Sequence, residues 1–259
     1  MFIEIDTKFN IYRNLSLTPF IKDNKIILPK NIAKFEKRKQ EKILYKMRSL
    51  IKSSNIQNVI YEKSFKKINI TNCSKVRLEQ YILEITQHII KSKKLDKETR
   101  IAIVVNKFNE LIKKKVCDLV NKYKHVSIVT CNMASGIKLQ NEIFDAYGIM
   151  LKVSNNKRKA LKDAELILNI DLDSKNFNKY IILDKAIIIN INNEVEINSM
   201  RFSGLNLNKI VFKISDKSKE YIEKKYGLQC DKYDVEDFTI LEDKINIEID
   251  RILSKNGYL

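Results

Sequence analysis

The sequence predicts an α/β fold with a mostly parallel sheet, preceded by a basic N-terminal α/β part and followed by a C-terminal extension. Three observations carry this. From Arg100 to Ile191 short apolar runs alternate with segments of helical periodicity, joined by the short connections that right-handed crossovers need. The run Ile101–Val105 is apolar at every position, as a strand covered on both faces should be. Positive charge is concentrated ahead of this region, with 23 basic and 10 acidic residues in positions 1–100. The expected divisions are 1–95, 96–191 and 192–259.

The first part opens with strands Phe2–Ile5 and Lys25–Leu28, the latter stopped by Pro29. The segment Asn14–Phe20 between them reads as an irregular loop around Pro19. A basic helix is expected over Asn31–Ser53, with Ile32, Phe35, Ile43, Met47, Leu50 and Ile51 at helical spacing. Tyr45 is read with Phe35 as a core or rim residue. A β-branched strand follows over Ile56–Tyr61, then a helix over 75–94 with Leu78, Ile82, Ile85 and Ile89 on one face.

In the central part, strands are expected at Ile101–Val105, His125–Thr130, Ile149–Val153, Glu165–Asp171 and Ala186–Ile191. The helices between them are placed at Lys107–Tyr123, Ser135–Tyr147 (with Gly148 as a left-handed cap) and Lys157–Ala164. Asn192-Asn193 reads as a hairpin turn into Glu194–Ile197. Leu205–Ile214 reads as a further strand, and a helix capped by Ser215 or Asp216 ends at Gly227. The tail Asp231–Asp250 holds eight acidic residues against two lysines, and either docks on the basic N-terminal part or is solvated.

Composition narrows the function. With 259 residues and 44% hydrophobic content, the chain has material for a sizeable core. No apolar run approaches the ~20 residues that a membrane-spanning helix requires. Charged residues Glu4, Asp6, Lys8 and Arg13 leave no apolar segment of secretory type, so a cytoplasmic protein is expected. Cys73, Cys117, Cys131 and Cys230 form no CxxC pair and, with only His88 and His125 beside them, offer no metal-ligand spacing. No metal is expected. Cys117 reads as a core thiol.

Ligands of open parallel sheets sit at the carboxyl ends of the strands, where the strand order reverses. The candidate residues are therefore Asn106 and Lys107; Thr130, Asn132, Ser135 and Gly136; Ser154, Asn155, Asn156, Lys157 and Arg158; and Asn169 and Asp171. Ser154–Lys159 combines three cations with an expected helix start, which suits a phosphate-bearing small molecule; the same serine and asparagines also serve as caps. Asn132–Gly136 reads as an anion nest or as a turn plus helix cap. Asp171 is the best-placed carboxylate. His125 lies at the opposite edge of the sheet, and no nucleophile–base pair is evident.

The stretch Leu161-Lys-Asp-Ala-Glu-Leu-Ile-Leu-Asn-Ile-Asp171, followed by the strand Ala186–Asn190, resembles the Rossmann-like NAD domains of 2-hydroxyacid and shikimate dehydrogenases over residues 100–191. The resemblance implies a dinucleotide fold. The chain departs from that pattern where phosphate should bind. A G-x-G-x-x-G turn lets backbone amides reach a pyrophosphate at a helix N-terminus, whereas this chain has Asn106-Lys-Phe-Asn-Glu-Leu111 there. The second strand ends in Thr130-Cys131-Asn132, with no acid for a ribose diol. Conventional NAD(P) binding is not expected, and no other cofactor is indicated.

Three functions follow as expectations. The first is a small-molecule-binding or regulatory protein on a degenerate Rossmann-like fold. The second is binding of nucleic acid or another polyanion through the Asn31–Ser53 helix, with Lys37, Arg38, Lys42 and Lys46 as candidates. The third is an atypical NAD(P)-dependent oxidoreductase. The abundance of Lys, Ile and Asn also fits AT-rich coding sequence, which would leave the net charge of +17 without a function.

Overall fold

The computed structural model describes residues 2–5, 18–22, 25–29, 32–56, 59–63, 78–96, 98–198, 200–235, 238, 245–254 and 257–258. In chain order the elements begin with β1 (Phe2–Ile5), β2 (Phe20–Lys22), β3 (Lys25–Leu28), α1 (Lys37–Ser53) and β4 (Ile60–Tyr61). There follow α2 (Ile82–Ser92), β5 (Ile101–Val104), α3 (Glu110–Lys122), β6 (Val126–Val129), α4 (Met133–Tyr147) and β7 (Lys152–Ser154). Then come β8 (Leu166–Asn169), α5 (Ser174–Phe177), β9 (Ile187–Asn190), β10 (Leu205–Ile214), α6 (Asp216–Tyr226), β11 (Ile247–Ser254) and β12 (Gly257–Tyr258).

These elements form two units that interleave in sequence. One draws on residues 1–76 and 212–248, the other on 77–211 and 249–259. The sequence boundaries at 95 and 191 are therefore not where the chain passes between units.

In the first unit the sheet order is β2-β3-β1-β4, with β1 parallel to both β3 and β4 and β2 antiparallel to β3. β2 occupies part of what the sequence suggested was a loop: Phe20 ends the Pro19 irregularity and pairs with Ile27. Ile26, Leu28 and Ile32 form a core with Ile43 and Met47 of α1, and Phe35 is half-buried against it. α1 starts six residues later than expected, because Ile32–Lys34 forms a separate 3-10 turn. Tyr45 is neither core nor rim; it is 74% exposed, since it lies on the side of α1 opposite Ile43 and Met47. Of the expected strand Ile56–Tyr61 only Ile60–Tyr61 is extended among the described residues.

The acidic tail docks in this unit through apolar contacts. Tyr233 and Phe238 are fully buried with Ile60, Ile222 and Leu228, their rings edge-to-face at 5.8 Å. The Lys63 ammonium donates to the Asp231 carbonyl at 2.9 Å, while the Asp231 carboxylate pairs with Lys219 from its own segment. α6 begins as expected at Ser215, which accepts from the Ser218 N–H, and ends at left-handed Gly227, φ +63°.

The second unit holds the sheet order β12-β11-β10-β9-β8-β5-β6-β7. All five strands expected for the central part lie in it, and neighbouring strands among β5 to β10 pair in parallel. Numbered from β5, the six strands run 3-2-1-4-5-6 across the sheet, the order of doubly wound dinucleotide-binding folds. The fold is Rossmann-like. β5, β8 and β9 are buried at every position, which explains their uninterrupted apolar sequences. One face is closed by Leu161, Leu172, Phe177 and Tyr180 packed on Ala102, Val104, Val129, Ile167 and Ile188. Gly148 takes the expected left-handed cap of α4, φ +67°.

Two expectations fail here. Lys157–Ala164 is a run of turns, not a helix. The Asn156 side chain accepts from the Arg158 and Lys159 N–H groups, and buried Leu161 and Ala164 then pull the chain onto the sheet before a helical ladder develops. Asn192-Asn193 does not turn a hairpin, and Glu194–Ile197 is not a strand. That segment is held instead by Asn178, which donates to the Glu196 carbonyl at 2.7 Å, and by Ser174, whose hydroxyl accepts from the Glu196 N–H. α5 was not anticipated; Asp173 caps it, and the Asn176 N–H on its carboxylate lowers the Asp173 pKa. No described helix is long and apolar enough to cross a membrane.

Candidate functional site

The strand order reverses between β5 and β8, the kind of switch point at which ligands of open parallel sheets bind, in a crevice beyond the carboxyl ends of the strands. In a dinucleotide fold the first loop offers its amides there to a pyrophosphate. Here those amides are already engaged. The N–H of Asn106 donates to Asp171 Oδ1 at 2.9 Å, and the N–H of Lys107 donates to Asp171 Oδ2 at 2.7 Å. The carboxylate spans adjacent amides much as a phosphate would, and charge-assisted bonds of this kind are among the stronger ones.

The rest of the loop is equally self-satisfied. Asn106 Oδ1 accepts from the Cys131 N–H at 2.8 Å and, at a longer 3.4 Å, from the Thr130 hydroxyl. The Thr130 oxygen accepts from the Asn132 N–H. Asn109 caps α3 by accepting from the Ile112 N–H at 2.8 Å, and Glu110 places an acid in the first helical turn. That turn favours negative charge, so Glu110 takes a position that would otherwise suit an anionic ligand.

Five candidate residues thus come together at the crevice: Asn106, Lys107, Thr130, Asn132 and Asp171. Asn132 caps α4 by accepting from the Ser135 N–H at 3.3 Å. Gly136 is buried and serves packing: a Cβ there would lie 2.8 Å from Val153 Cγ1 and 3.0 Å from Thr130 Cγ2. Ser154, Asn155, Asn156, Lys157 and Arg158 form the turn after β7. Ser154 Oγ accepts from the Asn156 N–H and Asn156 Oδ1 from the Arg158 and Lys159 N–H groups, so these three backbone donors are used within the turn. Asn155, Lys157 and Arg158 are exposed. This turn is tied to the segment after β8, because the Ile181 N–H donates to the Lys157 carbonyl at 2.9 Å.

Asn169 belongs to a different structure. It is fully buried at the end of β8, where its Nδ2 donates to the Leu172 carbonyl and to Asn190 Oδ1, both at 3.0 Å. Its Oδ1 accepts from the Leu172 N–H. Asn190, in register on β9 and 3% exposed, donates in turn to Asn206 Oδ1 at 2.7 Å and Asn208 Oδ1 at 2.6 Å on β10. Asn206 passes the chain to the Val195 carbonyl at 2.6 Å. This amide ladder ties three strands together, uses both Asn169 amide hydrogens and buries the side chain completely, out of reach of a ligand.

Sequence reasoning missed Asn190, Asn206 and Asn208. The available signal was an asparagine closing two apolar runs, Leu-Ile-Leu-Asn169 and Ile-Ile-Ile-Asn190, followed by Leu-Asn-Leu-Asn208. It also missed Cys131, an exposed thiol beside Tyr180. The Tyr180 hydroxyl is pushed up to about 12, first by burial and then by the charge of and hydrogen bond to Cys131. Burial pushes the Cys117 and Cys230 thiols up as well. His125 lies at the opposite edge of the sheet, 3.0 Å from Glu98.

No protein-family model matches the chain, and no curated protein matches its sequence. Among solved structures, a shikimate 5-dehydrogenase-like protein is similar at 12% identity and a TM-score of 0.26. The match covers 65% of this chain and 64% of that one, just under two thirds of its length.

Proposed function

We propose that the protein binds a small phosphate-bearing molecule at the carboxyl edge of its Rossmann-like sheet and does not work as a nicotinamide-dependent dehydrogenase. The observation that carries this reading is the Asp171 carboxylate on the Asn106 and Lys107 amides. A pyrophosphate would have to displace it, and hydrogen bonds to charged groups are worth ~1.5–3 kcal/mol each. Phosphate instead meets the exposed side chains of Lys157 and Arg158, which engage no acid among the described residues. Their turn follows β7 at the carboxyl edge of the sheet and is fastened to the segment following β8 by the Ile181 N–H on the Lys157 carbonyl.

A thermal-shift screen of mononucleotides, dinucleotides and sugar phosphates tests this. A ligand at 100 times its dissociation constant adds ~2.7 kcal/mol of stability. The expected result is stabilisation by a mononucleotide or sugar phosphate that disappears in Lys157→Gln/Arg158→Gln. A screen in which no phosphate compound stabilises the protein, or in which the double variant responds like wild type, removes the proposal.

A further inference from the structure

We propose that the solvent face of α1 binds single-stranded nucleic acid, with Tyr45 as the platform on which a base stacks. This function is separate from the crevice. α1 carries Lys37, Arg38, Lys39, Lys42, Lys46, Arg48 and Lys52 against one internal acid, Glu41. All seven cations are exposed, and among the described residues none is held in an ion pair or side-chain hydrogen bond. Solvated lysine faces are common, so charge alone decides little. The position of Tyr45 decides more.

At 100° per residue, Tyr45 falls near the middle of the exposed arc of α1. Its helical neighbours on that arc are Arg38, Lys42, Arg48 and Lys52, at spacings of three and seven residues, with Glu41 and Ser49 at four. The ring is 74% exposed in a setting of four cations. Arg38, Lys42, Tyr45, Lys46 and Arg48 share one open stretch of the α1 surface, with Glu41 among them. An exposed aromatic ring flanked by cations is the arrangement that takes unstacked bases and their backbone together.

The other polyanionic surfaces fit less well. A helix that lies in a membrane needs a free apolar face, and the apolar face of α1 is used: Ile43 and Met47 are each 1% exposed in the core of their unit. Duplex DNA would satisfy the cations, but its paired bases remain stacked on each other and leave Tyr45 without a partner.

The test is fluorescence anisotropy of a labelled oligo(dT) against the full-length protein over a series of salt concentrations. The expected affinity falls with salt, with a log–log slope of about −0.7 per phosphate neutralised. Lys37→Gln, Arg38→Gln, Lys42→Gln and Lys46→Gln together flatten that slope. Tyr45→Ala weakens binding roughly tenfold, within the range of one base–aromatic stack, and leaves the slope unchanged; Tyr45→Phe restores the affinity. All five side chains are exposed, so the variants fold. Failure of wild type to bind at low salt overturns the proposal. So does a neutral Tyr45→Ala, equal affinity for a duplex of the same length, or preferential binding to vesicles of anionic lipid.

Discussion

Asn169→Ala lowers the free energy of unfolding by about 4 kcal/mol, because burying unpartnered polar groups costs ~1–3 kcal/mol apiece. Three such groups are created: the Leu172 N–H, the Leu172 carbonyl and Asn190 Oδ1, each of which Asn169 satisfies at 3.0 or 3.1 Å. Leu172 is 5% exposed and Asn190 3% exposed, so water has little access to replace the lost partner. Asn169→Asp does not rescue the protein. A carboxylate still accepts from the Leu172 N–H but turns an acceptor toward the Leu172 carbonyl and Asn190 Oδ1. Urea denaturation reads the change in midpoint. A loss below ~0.5 kcal/mol, the range of an ordinary exposed substitution, would mean that the ladder contributes nothing to stability.

Gly204→Ala has the second large effect, and its origin is steric. The added Cβ would collide with the backbone carbonyl of Ala186 and would sit 2.8 and 2.9 Å from two Phe202 ring carbons. The same carbonyl accepts from the Leu205 N–H at 3.1 Å, the bond with which β10 joins β9. The backbone cannot withdraw without opening that pairing, so the cost is at least ~3 kcal/mol, the upper part of the range for overpacking. Gly136→Ala is milder, because its close neighbours are the side-chain methyls of Val153 and Thr130. Equal thermal melting of the two alanine variants would contradict this ranking.

Much of the fold was legible in the sequence, for a local reason. The strands β5, β8 and β9 are covered on both faces, so they read as unbroken apolar runs, and the caps at Gly148, Ser215 and Gly227 are encoded within one turn of each helix end. The errors lie where a distant partner decides. The turn at Lys157–Ala164 has cations and a capping asparagine that fit a helix, but Leu161 and Ala164 are drawn into the core. The Asp171 carboxylate meets amides 64 and 65 residues earlier, a pairing that exists only once β5 and β8 lie side by side. The amide ladder likewise depends on the register of three strands. Tyr45 is the exception: its position opposite Ile43 and Met47 follows from helical spacing alone.

The first loop of the Rossmann-like sheet lacks glycine and is bound to Asp171, so it is expected to hold no dinucleotide. Isothermal titration of the wild-type protein with NADH and NADPH tests this most directly. The expected result is no saturable heat up to millimolar cofactor; micromolar affinity for either one would mean that the Asp171 carboxylate yields the loop amides to a pyrophosphate.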